Sequence, residues 1–190
     1  MPKAAPKAKE GQRMRKSQKG FSLIELLIVV AIILIIAAIA IPNLLRSRIA
    51  ANEAAAIGAL RTIITGQVTY AGQYPLVGYA ATLLVLGPPP GGTPPDQKGA
   101  DIIDATLATG SKTGYGFQSK GATGGCNAPD AAFTNTTAAG LNVTFEIYAC
   151  PASQNRTGIR NFCTSDGGTL RQGADPSTVC DFTLASPPVS

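Results

Sequence analysis

Glu25 is the only charged residue in the run 21–41, where every other position is Phe, Ser, Leu, Ile, Val or Ala. A carboxylate isolated in hydrocarbon is unfavourable by several kcal/mol, and a cation beside it at low dielectric offsets much of that cost. The chemistry available at this position is therefore ion pairing. Catalysis has no comparable foothold: the chain has no histidine, no closely spaced cysteine pair, no Gly-rich phosphate loop and no nucleophile motif, so it reads as a non-enzyme. Asp96, Asp101 and Asp104, and Asp166 with Asp175 and Asp181, invite a calcium assignment. Capping and turn formation explain most of them, and neither group has the EF-hand spacing, so no metal site and no cofactor is expected, with loop-bound calcium as the alternative.

The element that must hold Glu25 is a helix. Twenty-one residues at 1.5 Å per residue give about 31 Å, the thickness of a hydrocarbon core, so 21–41 can span a bilayer. Residues 1–20 carry seven Lys/Arg against one Glu, a net +6, whereas nine Lys/Arg face ten Asp/Glu from position 21 onward, a net −1. The basic flank stays cytoplasmic and everything after Ile41 is placed outside; Arg46 and Arg48 are too few to reverse this. The leader lacks apolar periodicity and should be disordered or removed. A nucleic-acid arm is the other use for such a tract, but the adjoining span explains the charge better, and a near-neutral remainder gives no case for DNA binding.

Pro42 deletes one backbone hydrogen bond and should kink or loosen the helix without ending it, because the apolar pattern resumes at once. Leu45, Ile49, Ala56, Leu60, Ile63 and Gln67 form a stripe widened by Ile57, Ile64 and Val68, with Arg46, Glu53 and Arg61 outside it. After Tyr70 the composition turns to Gly, Pro and Thr, with the run from Pro88 to Pro95 as the clearest loop. Asp101 offers a cap for a short helix ending near Gly110. Alternation at Tyr115 and Phe117, at Val143, Phe145 and Ile147, at Ile159 and Phe162, and a last short segment at Thr169-Leu170-Arg171 predict three or four antiparallel strands, with Asp166-Gly167-Gly168 as a tight turn. A sheet this thin needs the helix stripe as its second layer. The expected fold is α+β, divided as 1–20 leader, 21–41 transmembrane and assembly helix, 42–70 amphipathic continuation, 71–110 loop with a short helix, and 111–190 sheet with a disulfide-bonded C-terminal region.

Cys126, Cys150, Cys163 and Cys180 all lie on the exported side, which predicts two disulfides; four cysteines admit three pairings, and the long gaps argue against zinc. N-x-[ST] triplets at Asn135, Asn142 and Asn155 signify no more than a polar surface.

Taken together, Lys19-Gly20-Phe21-Ser22-Leu23-Ile24-Glu25-Leu26-Leu27 resembles the class III signal of type IV pilins and pseudopilins. The resemblance implies cleavage after Gly20 by a prepilin peptidase, N-methylation of Phe21, and a helix-loosening role for Pro42. Glycine before the cut lets the backbone approach a protease closely. Cleavage would remove six net positive charges and expose an α-ammonium at Phe21. Glu25 cannot readily reach the amine of its own chain along a helix, so a neighbour's Phe21 terminus is its natural partner, and the pair would fix axial register. One heterologous interface repeated in this way builds an open helical filament. The implied partners are further copies of the chain, the peptidase, inner-membrane assembly machinery, and membrane lipid before assembly. The implied location is the inner membrane, with the N-terminus cytoplasmic, and then an extracellular pilus.

Within that family the chain reads as a type IV pilus subunit serving adhesion, motility or uptake. A pilin often has a C-terminal disulfide loop, for which Cys163 with Cys180 encloses a suitable stretch, leaving Cys126 with Cys150. A pseudopilin of a type II secretion system is the alternative. Conduction through stacked aromatics along the core is not expected, because 22–69 contains no aromatic residue. Outside the family, Ala38-Ile39-Ala40 resembles a secretory cleavage site, which would give a secreted domain, but the run before it exceeds the usual 7–15 residues and contains Glu25. A single-pass anchored exterior domain is the remaining reading.

Overall fold

The computed structural model describes residues 20–119, 141–173 and 188–189. It divides into two compact units, 1–41 and 42–190. Helix α1, Leu23–Gln73, runs through both with Pro42 inside it. A single missing N–H does not stop a helix in which Ala37, Ala38 and Ala40 precede the proline and Leu44 and Leu45 follow it. In the first unit no residue of the apolar stretch is buried, from Phe21 at 75% exposed to Ile41 at 57%.

In the second unit the helix has one covered face. Glu53, Ala56, Ala59, Leu60, Ile63, Gly66, Gln67 and Tyr70 are buried, a spacing of three and four that keeps them on one side. Two readings of the stripe are corrected here. Glu53 belongs to the buried face, whereas Val68 and Leu45 are 59% and 55% exposed. The connection that follows contributes two one-turn helices, α2 (Leu83–Leu86) and α3 (Ala105–Ala108), separated by a 3₁₀ turn at Pro90–Gly92. The cap of α3 is Asp104, whose Oδ1 accepts from the Leu107 N–H at 3.0 Å. Asp101, expected in that role, has φ 52° and lies before the turn that the helix needs.

Among the described residues five strands form one antiparallel sheet in sequence order: β1 (Ser111–Lys112), β2 (Tyr115–Ser119), β3 (Glu146–Pro151), β4 (Asn161–Ser165) and β5 (Arg171–Gly173). The register sets Phe117 opposite Ala149 and Ala149 opposite Phe162, so these share the core face with Tyr115 and Ile147. They join Leu60, Ile63, Leu83, Leu86, Leu107 and Phe145 in a single core. The extra strand, β1, is two residues long. It pairs with β2 through Thr113 and Gly114, both at positive φ (47° and 75°), the conformation of the tightest hairpin turns. Ile159 and Val143 are about half exposed and lie outside the strands.

Candidate assembly site

The residues that could mediate contact with other molecules begin before α1. Gly20, Phe21 and Ser22 are exposed and precede the helix, with nothing within 4 Å of a Cβ built on Gly20. The peptide bond between Gly20 and Phe21 is thus outside any helical hydrogen-bond ladder and open to approach. Glu25 follows in the first turn of α1, where the positive end of the helix dipole favours a carboxylate. It is exposed, and no described residue donates a hydrogen bond to it or pairs with it. Around it Leu23, Ile24, Leu26, Leu27 and Ile28 are all more than half exposed.

Further along the same helix the sequence placed Glu53 on the solvent side, and the structure buries it at 5% exposure. Its Oε1 accepts from the backbone N–H groups of Ile159 (3.0 Å) and Arg160 (3.2 Å). Its Oε2 accepts from Arg160 Nε at 2.8 Å and pairs with the other guanidinium nitrogen at 2.7 Å. Burial alone raises the Glu53 pKa. The Ile159 N–H, the Arg160 side chain and the Arg160 N–H outweigh it, and hold the carboxyl below its usual value. Arg160 reaches on to Gln172 Oε1 at 2.9 Å and lies over the Phe162 ring, tying β4 and β5 to the helix. Tyr115 donates to the Arg160 carbonyl at 2.9 Å, and burial, with the Glu53 charge adding to it, pushes its hydroxyl pKa well up.

Two amides complete the grip. Asn52 Nδ2 donates to the Thr157 carbonyl at 2.8 Å. Gln67 exchanges two hydrogen bonds with the Ala80 backbone, at 3.1 and 2.8 Å. The spacing of the stripe includes Gln67, but its partner lies in the loop beyond the helix and leaves no local signal. The signal for Glu53 was its position, four residues after Ile49 and three before Ala56, which periodicity alone places on the buried face.

Cys150 and Cys163 are both disulfide-bonded and lie on the sheet face opposite the core, in register with Gly116 and with Tyr148. Cys126 and Cys180 lie outside the described residues. Of the aspartates considered for calcium, Asp104 caps α3 and pairs with Lys112 at 2.7 Å, and Asp96 Oδ1 accepts from the Lys98 and Gly99 N–H groups. Asp175 and Asp181 also fall outside the described residues, as does the triplet at Asn135. Asn142 donates to the Tyr79 carbonyl and is buried.

Comparison with known proteins bears on the exposed helix and its leader. Residues 15–41 match the prokaryotic N-terminal methylation motif. A stretch of 55 residues, 29% of the chain, is 49% identical to the type IV wide pilus major component PilA4 of Thermus thermophilus. Over these stretches the chain is type IV pilin-like. The match covers 42% of that relative's length, so the chain spans less than half of it. No solved structure matches the chain. The α+β arrangement of a long helix on a small antiparallel sheet is itself pilin-like, and the motif together with the apolar helix fits a membrane-anchored form.

Proposed function

We propose that the chain is a structural subunit of a type IV pilus, without catalytic activity, that polymerises through its N-terminal helix into an extracellular filament. The observation that supports this most directly is the pairing of opposites in 21–41: an apolar helical surface exposed along its whole length, and one carboxylate on it that no described residue satisfies. A soluble monomer does not keep so large a contiguous apolar surface. Lipid would cover the surface before assembly, and neighbouring copies afterwards. A neighbour is also the source of a cation, since cleavage after Gly20 gives each copy a Phe21 amine, and methylating that amine keeps its charge. The name of the Thermus relative, a major pilus component, favours the pilus over a secretion pseudopilus.

On this reading residues 1–20 are removed by a prepilin peptidase at the cytoplasmic face of the inner membrane, 21–41 is the assembly helix, Pro42 loosens it locally, and 43–190 forms the outer surface of the fibre. Two disulfides, Cys126 with Cys150 and Cys163 with Cys180, would staple the sheet region. Glu25→Ala tests the central claim. The mature N-terminus should still be Phe21 by N-terminal sequencing, while sheared filament yield falls at least about tenfold, as expected for losing one partner of a desolvated charge pair. Normal fibres from the Ala variant, or a mature protein that begins at Ile41, would overturn the proposal.

A further inference from the structure

Within the unit 42–190, two features at opposite ends have side chains with no partner among the described residues. At the end where α1 leaves position 42, the helix and the 153–157 loop enclose a groove of about 850 Å³ with Arg48 on one wall and Arg156 on the other. Both side chains are exposed, and neither has a hydrogen bond or ion pair among the described residues. The groove is preformed. Asn52 fastens the loop through the Thr157 carbonyl, and Thr157 Oγ1 both donates to the Ser153 carbonyl and accepts from its N–H. Its rim holds Thr113, Gly114 and Asn155 at positive φ, and a Cβ on Gly114 would come within 2.9 Å of Thr157. Two cations lining one preformed concavity, with no anion among the described residues between them, describe a receptor for a carboxylate or phosphate.

At the other end the turn after β4 carries Asp166, followed by Gly167 and Gly168, all exposed. The Asp166 N–H is fixed to the Phe145 carbonyl, Phe145 packs on Tyr79, and the next residue, Ala80, is clamped by Gln67. Asp166 therefore sits near the level of Gln67, fifteen residues beyond Asn52 on α1 or about 22 Å along it. Four of the other described acids outside the apolar helix are occupied. Glu53 and Asp104 have cations, Asp96 closes its own turn, and Glu146 accepts from the Tyr148 hydroxyl. Asp101 is exposed as well, but its neighbours Ala100 and Ile103 are buried in the core and its N–H is tied to the Gly87 carbonyl, so it does not stand on a projecting turn. Asp166 alone stands on a turn whose following residues add no side chain to obstruct entry.

We propose that the Asp166 turn of one copy seats in the Arg48–Arg156 groove of another, making a polar head-to-tail contact between copies displaced along the helix direction. The inference rests on the filament reading and names a second interface for it. Knob and groove are different patches, so the contact is heterologous and repeats without closing. Its charge complementarity fixes which copies meet and in what register.

The test uses the full chain in cells that process and export it, with sheared filament as the readout. Arg48→Asp with Arg156→Asp should lower filament yield about tenfold or more, Asp166→Arg should do the same, and the three together should return to within about twofold of the parent. All three side chains are exposed and unbonded among the described residues, so thermal unfolding of each variant should match the parent. In parallel, Arg156→Lys filaments treated with a zero-length carbodiimide should yield a peptide in which the amine introduced at position 156 is joined to Asp166 of a second copy. A cross-link to Asp96, Asp101 or Glu146 instead would overturn the choice of Asp166. Undiminished filaments from the doubly reversed variant would overturn the contact while leaving the filament reading intact. If that variant instead loses phospholipid that the detergent-extracted parent retains in native mass spectrometry, a lipid headgroup is the occupant and the proposal fails. If the parent itself makes no filaments, the filament reading fails first and takes this contact with it.

Discussion

Helix α1 carries two glutamates, and the contrast between them separates what holds this molecule together from what it offers to others. Glu53, in the covered part of the helix, has two backbone N–H groups on one carboxylate oxygen and two nitrogens of Arg160 on the other. Glu25, in the apolar part, has no partner among the described residues. A buried carboxylate with a full set of donors stabilises the fold that supplies them. A carboxylate in apolar surroundings without donors is tolerable only if another molecule provides them. On the filament reading proposed above, the same side chain on the same helix serves folding at one end and association at the other.

Exchanging the perturbations breaks the comparison most directly. Glu53→Ala should lower the unfolding free energy of the full chain in detergent by about 2–3 kcal/mol, since it strands two backbone donors and a guanidinium. The half-exposed Arg160 side chain keeps the loss below that of a fully buried pair. Glu25→Ala should leave the same unfolding curve unmoved while abolishing most filament. If Glu25→Ala shifts the curve, or Glu53→Ala does not, the division of labour is wrong.

Apolar truncations sharpen the same contrast. Leu60 is fully buried in the core, and Leu34 is 63% exposed. Leu60→Ala should cost about 3 kcal/mol in denaturant unfolding, as a cavity-forming change. Leu34→Ala should cost nothing measurable there and should instead weaken filament packing.

Acid tests the Glu53 side of the comparison. The Glu53 carboxyl is held below its ordinary value of 4.5. Its contribution is therefore fully present above that pH and is lost as pH falls through the depressed folded-state value. Unfolding free energy should drop below about pH 4.5 in the parent, and this part of the drop should vanish in Glu53→Gln. An unchanged slope in Glu53→Gln would assign acid sensitivity to other carboxyls.

What could be read in advance followed from whether a feature's partner is local. The apolar run, the long helix with Pro42 inside it, the Asp166 turn and the strands at Tyr115, Phe117 and Phe162 all announce themselves in consecutive residues. Glu53 did not, because its donors at Ile159 and Arg160 lie more than 100 positions away, and a charged residue is placed on the solvent side by default. The first strand escaped notice because two residues have no periodicity to detect. Glu25 was legible for the opposite reason: its anomaly is complete within the run that surrounds it.

The smallest expected effect concerns the misplaced cap. Asp101 and Asp104 both precede the same short helix, and composition cannot rank them. Geometry does, since only Asp104 has extended backbone angles at the residue immediately before α3 and accepts from the N–H three positions on. Lys112 lies against the same carboxylate, and its hydrogen bond is the largest reason the Asp104 pKa is lowered. That pair is nearly half exposed on both sides, so the backbone cap rather than the charge should dominate. Asp104→Ala should therefore cost about 1 kcal/mol and Asp104→Asn, which keeps the acceptor, a few tenths, with Asp101→Ala near zero. Equal losses for Ala and Asn at position 104 would show that the ion pair with Lys112, and not the cap, holds this turn against the sheet.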